Sequence, residues 1–302
     1  MVKKPPTLLI LESLEARGFV LKKKYQWRLE NSQIGFDGED AFIETVRRNL
    51  VSPHILLRDL NLKNSDDKLY QIDLLLIMGS TILVHEIKHY RGFYTRDEKV
   101  LKRAKADDIE NPELQLSRHL TRISRLKKDL GFNHFRVKGY VVYVNPNFTL
   151  YGVNENISEL ILPTLIPEHL KFLNTNWLPV SNEAKALAAA IKQQTVDPPI
   201  FWKDIPEYEF TDLDPGLRCE HCGRLGIEGK RVYQCSSCDY KGKINDASEA
   251  AIKEFKLLFP DNLITRSIIT DWCGGDFGTS RIIRILKKNY QMVSKSRAIY
   301  YV

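Results

Sequence analysis

A chain of 302 residues, 43% hydrophobic and 27% charged, has the composition of a globular protein and the length for two domains or for one domain with appendages. No apolar run approaches the roughly 20 residues that a membrane span needs. The short N-terminal apolar stretch carries Glu12, so it is not read as a signal peptide. The formal net charge of +7 permits a polyanionic partner without establishing one.

Residues 5–17 read as a short helix, opened by prolines and closed by Gly18. The basic, aromatic segment 19–31 reads as a solvated connector rather than a nucleic-acid patch. Gly35 to Asp40 then opens a helix over 38–50, with Phe42, Val46 and Leu50 as its apolar stripe. Its glycines suit a tight turn or close packing. Acidic residues at a helix start often only complement the dipole. Glu39 is the one best placed to reach the hairpin that follows. Residues 55–60 read as a strand and 61–68 as a polar loop.

The stretch Tyr70 to Gly92 predicts a β-hairpin around Gly79-Ser80. Three charged residues stand in this otherwise apolar pair: Asp73, Glu86 and Lys88. Glu86 and Lys88 share a strand face, and the turn sets Asp73 opposite about residue 86. Buried charges need partners. Two carboxylates and one amine suit a divalent cation, an attacking water and a developing negative charge. The alternative is an internal salt bridge between Lys88 and one carboxylate. Glu-x-Lys also occurs at 183–185, 228–230 and 254–256, but there without an opposing Asp in a hairpin.

After Gly92 the sequence is mostly polar and basic. His89 reads as a surface or supporting residue. Asn111-Pro112 marks the N-terminus of a helix that runs to about Leu130, with Gly131 as its C-cap. Leu116, Leu120, Ile123 and Leu130 form its buried face. Gln115, Arg118, Arg122 and Arg125 share another face, either a solvated stripe or one that meets phosphates. Residues 137–144 predict a buried strand. The order helix, three strands, helix, strand makes an α/β core.

Taken together, Gly35, Gly38-Glu39, Gln71-Ile72-Asp73, His85-Glu86-Ile87-Lys88, Gly92 and Asn111-Pro112-x-x-Gln115 resemble the NERD (nuclease-related) domain over about residues 33–150. That family resembles the PD-(D/E)xK, restriction-endonuclease-like nuclease fold. The resemblance implies Asp73 and Glu86 as ligands of Mg²⁺ or Mn²⁺. It implies Lys88 beside the reacting phosphate, Glu39 as an accessory acid and Gln115 as a helper. With Asp73, Glu86 and Lys88 these complete the expected catalytic set.

Ser181 begins a further helix whose buried face is Ala184, Leu187, Ala188 and Ile191. Residues 197–216, rich in Pro, Asp and aromatics, read as a connector. Cys219-x-x-Cys222 and Cys235-x-x-Cys238 follow. Four thiolates in two such knuckles predict one structural Zn²⁺ in a zinc ribbon, with no position left open for catalysis. Two disulfides or an iron–sulfur site are the alternatives. His221 is the less suitable ligand, and Cys273 reads as a small buried side chain.

In the tail, Asp246 to Glu249 is expected to cap a helix that ends before Pro260. A short helix covers 265–272, a third helix covers 281–289, and a strand-like end follows. This outline resembles a winged helix-turn-helix. From residue 280 onward there are six basic residues and no acidic one. Arg281, Arg284, Lys287 and Lys288 on the third helix would meet nucleic acid, or the module would dock a protein.

The expected architecture is an α/β, PD-(D/E)xK-like core with a zinc ribbon and a winged-helix-like module. The expected segments are 1–32 (N-terminal extension), 33–150 (nuclease-like domain), 151–216 (helical extension and linker), 217–244 (zinc ribbon) and 245–302 (tail module). The expected function is metal-dependent phosphodiester hydrolysis, with nucleic acid as partner and DNA favoured. The expected location is the cytoplasm, where thiols stay reduced. The other readings are a catalytically silent nucleic-acid binder or sensor and a zinc-dependent protein adaptor. Oligomeric state is not legible in the sequence.

Overall fold

The computed structural model describes residues 4–64, 66–103, 106–153, 159–175, 177–275, 279–295 and 298–302. The described residues pack as two units: Asn31–Pro198, and residues 4–30 together with Pro199–Val302. In chain order the elements begin with α1 (Pro6–Ala16) and α2 (Lys23–Asn49), and the division between the units falls inside α2.

The first unit continues with β1 (Ile55–Lys63), β2 (Leu69–Met78), β3 (Thr81–Lys88), β4 (Gly92–Arg96), β5 (Val100–Arg103) and β6 (Ala106–Glu110). Then come α3 (Pro112–Asp129), β7 (Arg136–Tyr143), β8 (Phe148–Tyr151), β9 (Leu160–Ile161), α4 (Ile166–Leu173) and α5 (Asn182–Gln193). A five-stranded mixed sheet runs β1-β2-β3-β7-β9, antiparallel through β3 and parallel from β3 to β9. Its central strands β2 and β3 are buried along nearly their whole length, as strands covered on both faces require. Leu116 and Ile123 of α3 and Leu187 and Ile191 of α5 share one apolar cluster with Ile72, Leu75, Ile82 and Val84. Phe42, Ile43 and Val46 of α2 and Leu170 and Leu173 of α4 share the other with Leu74, Leu76, Leu83 and Ile87.

Several local expectations hold. Asn111 caps α3, its Oδ1 accepting from Glu113 N at 3.0 Å. Ser181 caps α5, and Ala184, Leu187, Ala188 and Ile191 are all buried.

Others need correction. The helix expected to begin at residue 38 is part of the 27-residue α2, so Gly35 and Gly38 lie in a helix interior and not in a turn. A Cβ at Gly38 would fall 2.6 Å from Cδ2 and 2.7 Å from Cβ of His89. That close approach explains a glycine where helix propensity disfavours one. It also makes Asp37, Glu39 and Asp40 mid-helix residues. The segment 19–31 is helical from Lys23 rather than a connector, and β1 runs on to Lys63 into the expected loop. The polar stretch after Gly92 forms a second sheet, β6-β5-β4-β8, with a bulge between Leu101 and Arg103. Among the described residues of that sheet, only Tyr94, Leu101 and Phe148 are buried, so its hydrophobic signal is short and broken.

The second unit holds α1, β10 (Val232–Gln234), β11 (Lys241–Lys243), α6 (Ile244–Leu258), α7 (Arg266–Trp272), α8 (Thr279–Asn289), β12 (Met292–Lys295) and β13 (Ala298–Tyr301). α6 starts two residues before Asp246, with Lys243 at the N-cap position and no side-chain cap, so Asp246 to Glu249 are not its cap. Thr265 does cap α7, accepting from Ile268 N at 3.3 Å. The connector 197–216 carries two short 3-10 turns, Trp202–Asp204 and Phe210–Asp212. Phe210 packs against Phe255, Phe259 and Trp272 at ring-centroid distances of 5.7–6.3 Å, so the connector supplies part of this unit's core. Among the described residues, no helix is long and apolar enough to cross a membrane.

Candidate nuclease site and four-cysteine cluster

The β2–β3 register pairs Leu74 with His85 and Met78 with Thr81, which carries Asp73 to the place across from Glu86. Asp73 Oδ2 accepts from the backbone N of Ile87 at 2.8 Å. Glu86 and Lys88 alternate with Ile87, which belongs to the α2 face, so they point to the α3 face.

α3 is held close to that face by Gly139 on β7. A Cβ there would lie 2.6 Å from Leu116 Cδ1 and 2.8 Å from Leu120 Cδ2. Gln115 and His119, four residues apart on α3, therefore reach the hairpin charges. Lys88 Nζ donates to Gln115 Oε1 at 3.2 Å and lies 2.6 Å from Glu86 Oε1. His119 Nδ1 lies 3.1 Å from Glu86 Oε2. Glu86 is 1% exposed, and both its oxygens meet these partners at ion-pair distance without hydrogen-bond angles.

The electrostatics follow from crowding. Burial pushes the Asp73 carboxyl well above the usual carboxylate range, and the Glu86 and Glu39 charges push it further. Burial, with Asp59, also raises Glu39, to about 7. Burial works on Glu86 in the same direction, but His119 and Lys88 outweigh it and hold Glu86 below its usual range. Burial works against the Lys88 ammonium, yet Glu86 and Asp73 raise its pKa, so it stays protonated at neutral pH. The site thus gathers three carboxyls around one amine, and an added cation would relieve the excess.

The sequence singled out Asp73, Glu86, Lys88, Glu39 and Gln115, and the structure brings all five to this one region. The salt-bridge alternative is also realised in part, through Lys88 and Glu86. His119 and Asp59 were missed. His119 lies at i+4 from Gln115, which is the signal that finds it. Asp59 has φ of 52°, a strained value for a non-glycine residue, between the pairs Arg58↔Leu74 and Leu60↔Ile72. Arg58 bridges Asp40 at 2.8 Å and Asp59 at 2.7 Å.

Arg118, Arg122 and Arg125 line one groove of about 290 Å³ with Lys63 and Tyr70. Arg122 Cζ sits 4.7 Å over the Tyr70 ring. Arg118 is engaged by Glu110 through two hydrogen bonds of 2.7 and 2.8 Å, so its charge is largely matched.

In the second unit, the Sγ atoms of Cys219, Cys222, Cys235 and Cys238 all lie within 4.8 Å of one another. Cys219–Cys238 is 3.8 Å and Cys222–Cys235 is 3.6 Å. Ligands about 2.3 Å from a tetrahedral Zn²⁺ stand roughly 3.8 Å apart, whereas a disulfide needs about 2.05 Å. The four cysteines therefore fit zinc. Ser237 N donates to Cys235 Sγ at 3.5 Å and, with the neighbouring groups, draws that thiol down to about 6. β10 and β11 pair and flank the second knuckle, Cys235 to Cys238. Among the described residues these cysteines are the group of three or more ligand side chains that closes so tightly, and the carboxyls at the hairpin do not. Cys273 is fully buried, and burial raises it to about 12.

On α8, Arg284, Lys287 and Lys288 are exposed, while Arg281 is half-buried and donates to the carbonyl of Lys230.

Comparison of the chain with curated proteins and with solved structures finds no match. The motif-bearing stretch from α2 to β7 does match a family: residues 34–144 fit the model of NERD, and the chain carries a nuclease-related domain.

Proposed function

We propose that the nuclease-related domain, taken as residues 33–150, hydrolyses phosphodiester bonds in nucleic acid, DNA in the first place, with a divalent cation. The observation that carries this reading is the buried Glu86 carboxylate beside Asp73. Both its oxygens lack a hydrogen bond of proper geometry, in a cluster with more carboxyls than amines.

Asp73 and Glu86 would hold Mg²⁺ or Mn²⁺, hard cations that take oxygen ligands and keep several waters, which suits two carboxylates better than a closed cage. Bound there, the cation would supply water activation and charge neutralisation at the phosphate. Hydrolysis forms a bond from the water oxygen to phosphorus and breaks the bond to the leaving oxygen. Lys88, held protonated, serves as a fixed cation facing the developing charge and not as a base. Gln115 orients the Lys88 ammonium, and His119 orients Glu86. Glu39, with a pKa of about 7, is the group suited to holding or releasing a proton near neutrality.

Arg118, Arg122 and Arg125 would contact phosphates along α3. The cysteine cluster would hold one structural Zn²⁺. α6, α7, α8 and the β12–β13 hairpin follow the order of a winged helix, which would bring Arg281, Arg284, Lys287 and Lys288 to DNA. Five cysteines without a disulfide among them suit a reducing, cytoplasmic setting.

The 2.6 Å contact between Lys88 and Glu86 favours a second reading, a silent nucleic-acid binder in which that pair is closed. Incubating single- and double-stranded DNA with the protein and Mg²⁺ or Mn²⁺, beside Asp73→Ala and Lys88→Ala, separates the two. Metal-dependent cutting that disappears in both variants supports hydrolysis. Intact binding without cutting in all three proteins supports the silent reading.

A further inference from the structure

The second unit contains an open cleft of about 990 Å³ whose lining includes Lys230, Arg231, Lys243, Arg281 and Arg284 against one acid, Glu228. Lys230 and Arg231 precede β10, Lys243 ends β11, and Arg281 and Arg284 belong to α8. Both walls of the cleft therefore carry positive charge, one from the four-cysteine hairpin and one from the helix.

The walls meet through one side chain: the Arg281 guanidinium on α8 donates to the Lys230 carbonyl. Ile244 N, at the start of α6, donates to the Arg231 carbonyl at 3.1 Å and fixes the hairpin wall. Gly229 shapes the turn that presents the two hairpin cations: a Cβ there would fall 2.3 Å from the Val232 carbonyl oxygen. Some basic side chains of this protein are matched by acids, such as Arg118 by Glu110, Arg28 by Asp204 and Lys253 by Glu249. Among the described residues, Lys230, Arg231, Lys243 and Arg284 form no ion pair, and all four are exposed. Like charges gathered in excess over the one acid repel one another, so holding them in a shaped cleft is stabilised by an anionic ligand.

We infer that this cleft is a seat for the phosphate backbone of nucleic acid, shared between the four-cysteine hairpin and α8. This rests on the proposed nucleic-acid function and extends it to Lys230, Arg231 and Lys243. A polymer of phosphates fits better than a single phosphate, because the cations line an open channel from two elements. Arg284 also lies on the same helix as the exposed Lys287 and Lys288, which continue the basic surface. Contacts of this kind position a duplex without reading its bases.

The test is anisotropy of a labelled 20-base-pair DNA without added magnesium, over a series of salt concentrations. Removing one phosphate-binding cation lowers the slope of log affinity against log salt by about 0.9. The triple variant Lys230→Ala, Lys243→Ala, Arg284→Ala should therefore lose about 2.7 of slope and on the order of 10²-fold in affinity near 0.1 M salt. The charge-retaining triple Lys230→Arg, Lys243→Arg, Arg284→Lys should bind nearly as wild type. Zinc content and thermal midpoint, measured on each protein, show that the fold is kept. An unchanged slope in the alanine triple overturns the cleft, and so does a loss confined to Lys287→Ala with Lys288→Ala, which would leave α8 as the binding surface. An acidic polypeptide that binds where DNA does not also overturns it. DNA binding that weakens as expected while the wild-type protein never cuts DNA upholds the cleft and sinks only the hydrolytic reading.

Discussion

His119 Nδ1 stands 3.1 Å from Oε2 of Glu86, while Lys88 Nζ stands 2.6 Å from the other oxygen of the same carboxylate. Glu86 is thus held from α3 and from its own strand together, and the orientation of its lone pairs depends on a helix it is not part of. Supporting residues of this kind cost about 10- to 100-fold in metal affinity or activity when removed. His119→Ala should therefore shift the Mg²⁺ concentration for half-maximal cutting upward by at least about tenfold, with a smaller loss of rate at saturating metal. A purely structural role would lower activity at all metal concentrations alike. A titration of cutting against Mg²⁺ distinguishes the two.

The distance between α3 and the sheet is set by a missing side chain. Gly139→Ala would place a Cβ 2.6 Å from Leu116 Cδ1 and 3.0 Å from the Val84 carbonyl oxygen. Overpacking of this sort costs about 1–3 kcal/mol. It also pushes Gln115 and His119 away from Lys88 and Glu86. Cutting should fall further than the loss of stability explains, with more than 80% of the variant still folded by circular dichroism at the assay temperature, on the order of a 1–3 kcal/mol loss from an ordinary reserve. Full activity in that variant would mean that the α3 contacts do not tune the site.

The hairpin was legible because three charges in an apolar pair demand partners, and a two-residue turn fixes which residues meet. Asn111 was legible as a cap, and Ser181 and Thr265 as helix starts, because capping is local chemistry. The start of α2 was not, since glycine and acid in sequence usually mark a turn. Only the packing of His89 on Gly38 explains why the helix continues through it. Nor was the β4–β6 sheet, whose polar strands bury few side chains. His119 was hidden by the stripe of arginines around it. Asp59 was hidden because a left-handed residue in a strand follows from its neighbours and not from its own side chain.

Removing zinc should act on the second unit alone. Cys219 and Cys235 are 2% exposed and Tyr233, between the knuckles, is also 2% exposed, its ring filling the space over Gly242. A metal-bound cluster of this type supplies folding free energy outright. Purified protein should hold about one zinc per chain, and Cys219→Ser with Cys235→Ser should hold none. DNA affinity should drop in that double variant, because Lys230, Arg231 and Lys243 are carried on the same hairpin. A zinc-free wild-type protein with full thermal stability would rule the site out.

Arg17 gives the second unit an acid-sensitive contact. Its guanidinium is fully buried, lies 3.5 Å over the Trp272 ring and donates to Glu254 at 2.6 Å. Arg218 reaches the other Glu254 oxygen at 2.7 Å. Burial would raise the Glu254 carboxyl, but the two guanidinium groups outweigh it and hold it below its usual range. A carboxyl depressed in the folded state binds its proton more readily when unfolded, near pH 4.3. Its stabilisation is therefore complete above that value and is lost as pH falls through the lower folded value. Acid titration followed by tryptophan fluorescence should show the unit loosening below about pH 4. Glu254→Gln leaves the buried Arg17 and the half-buried Arg218 without their anion and should cost about 3 kcal/mol at neutral pH, while flattening the acid-dependent part of the curve. A variant that is as stable as wild type at pH 7, with the same acid midpoint, would show that Glu254 does not hold this contact.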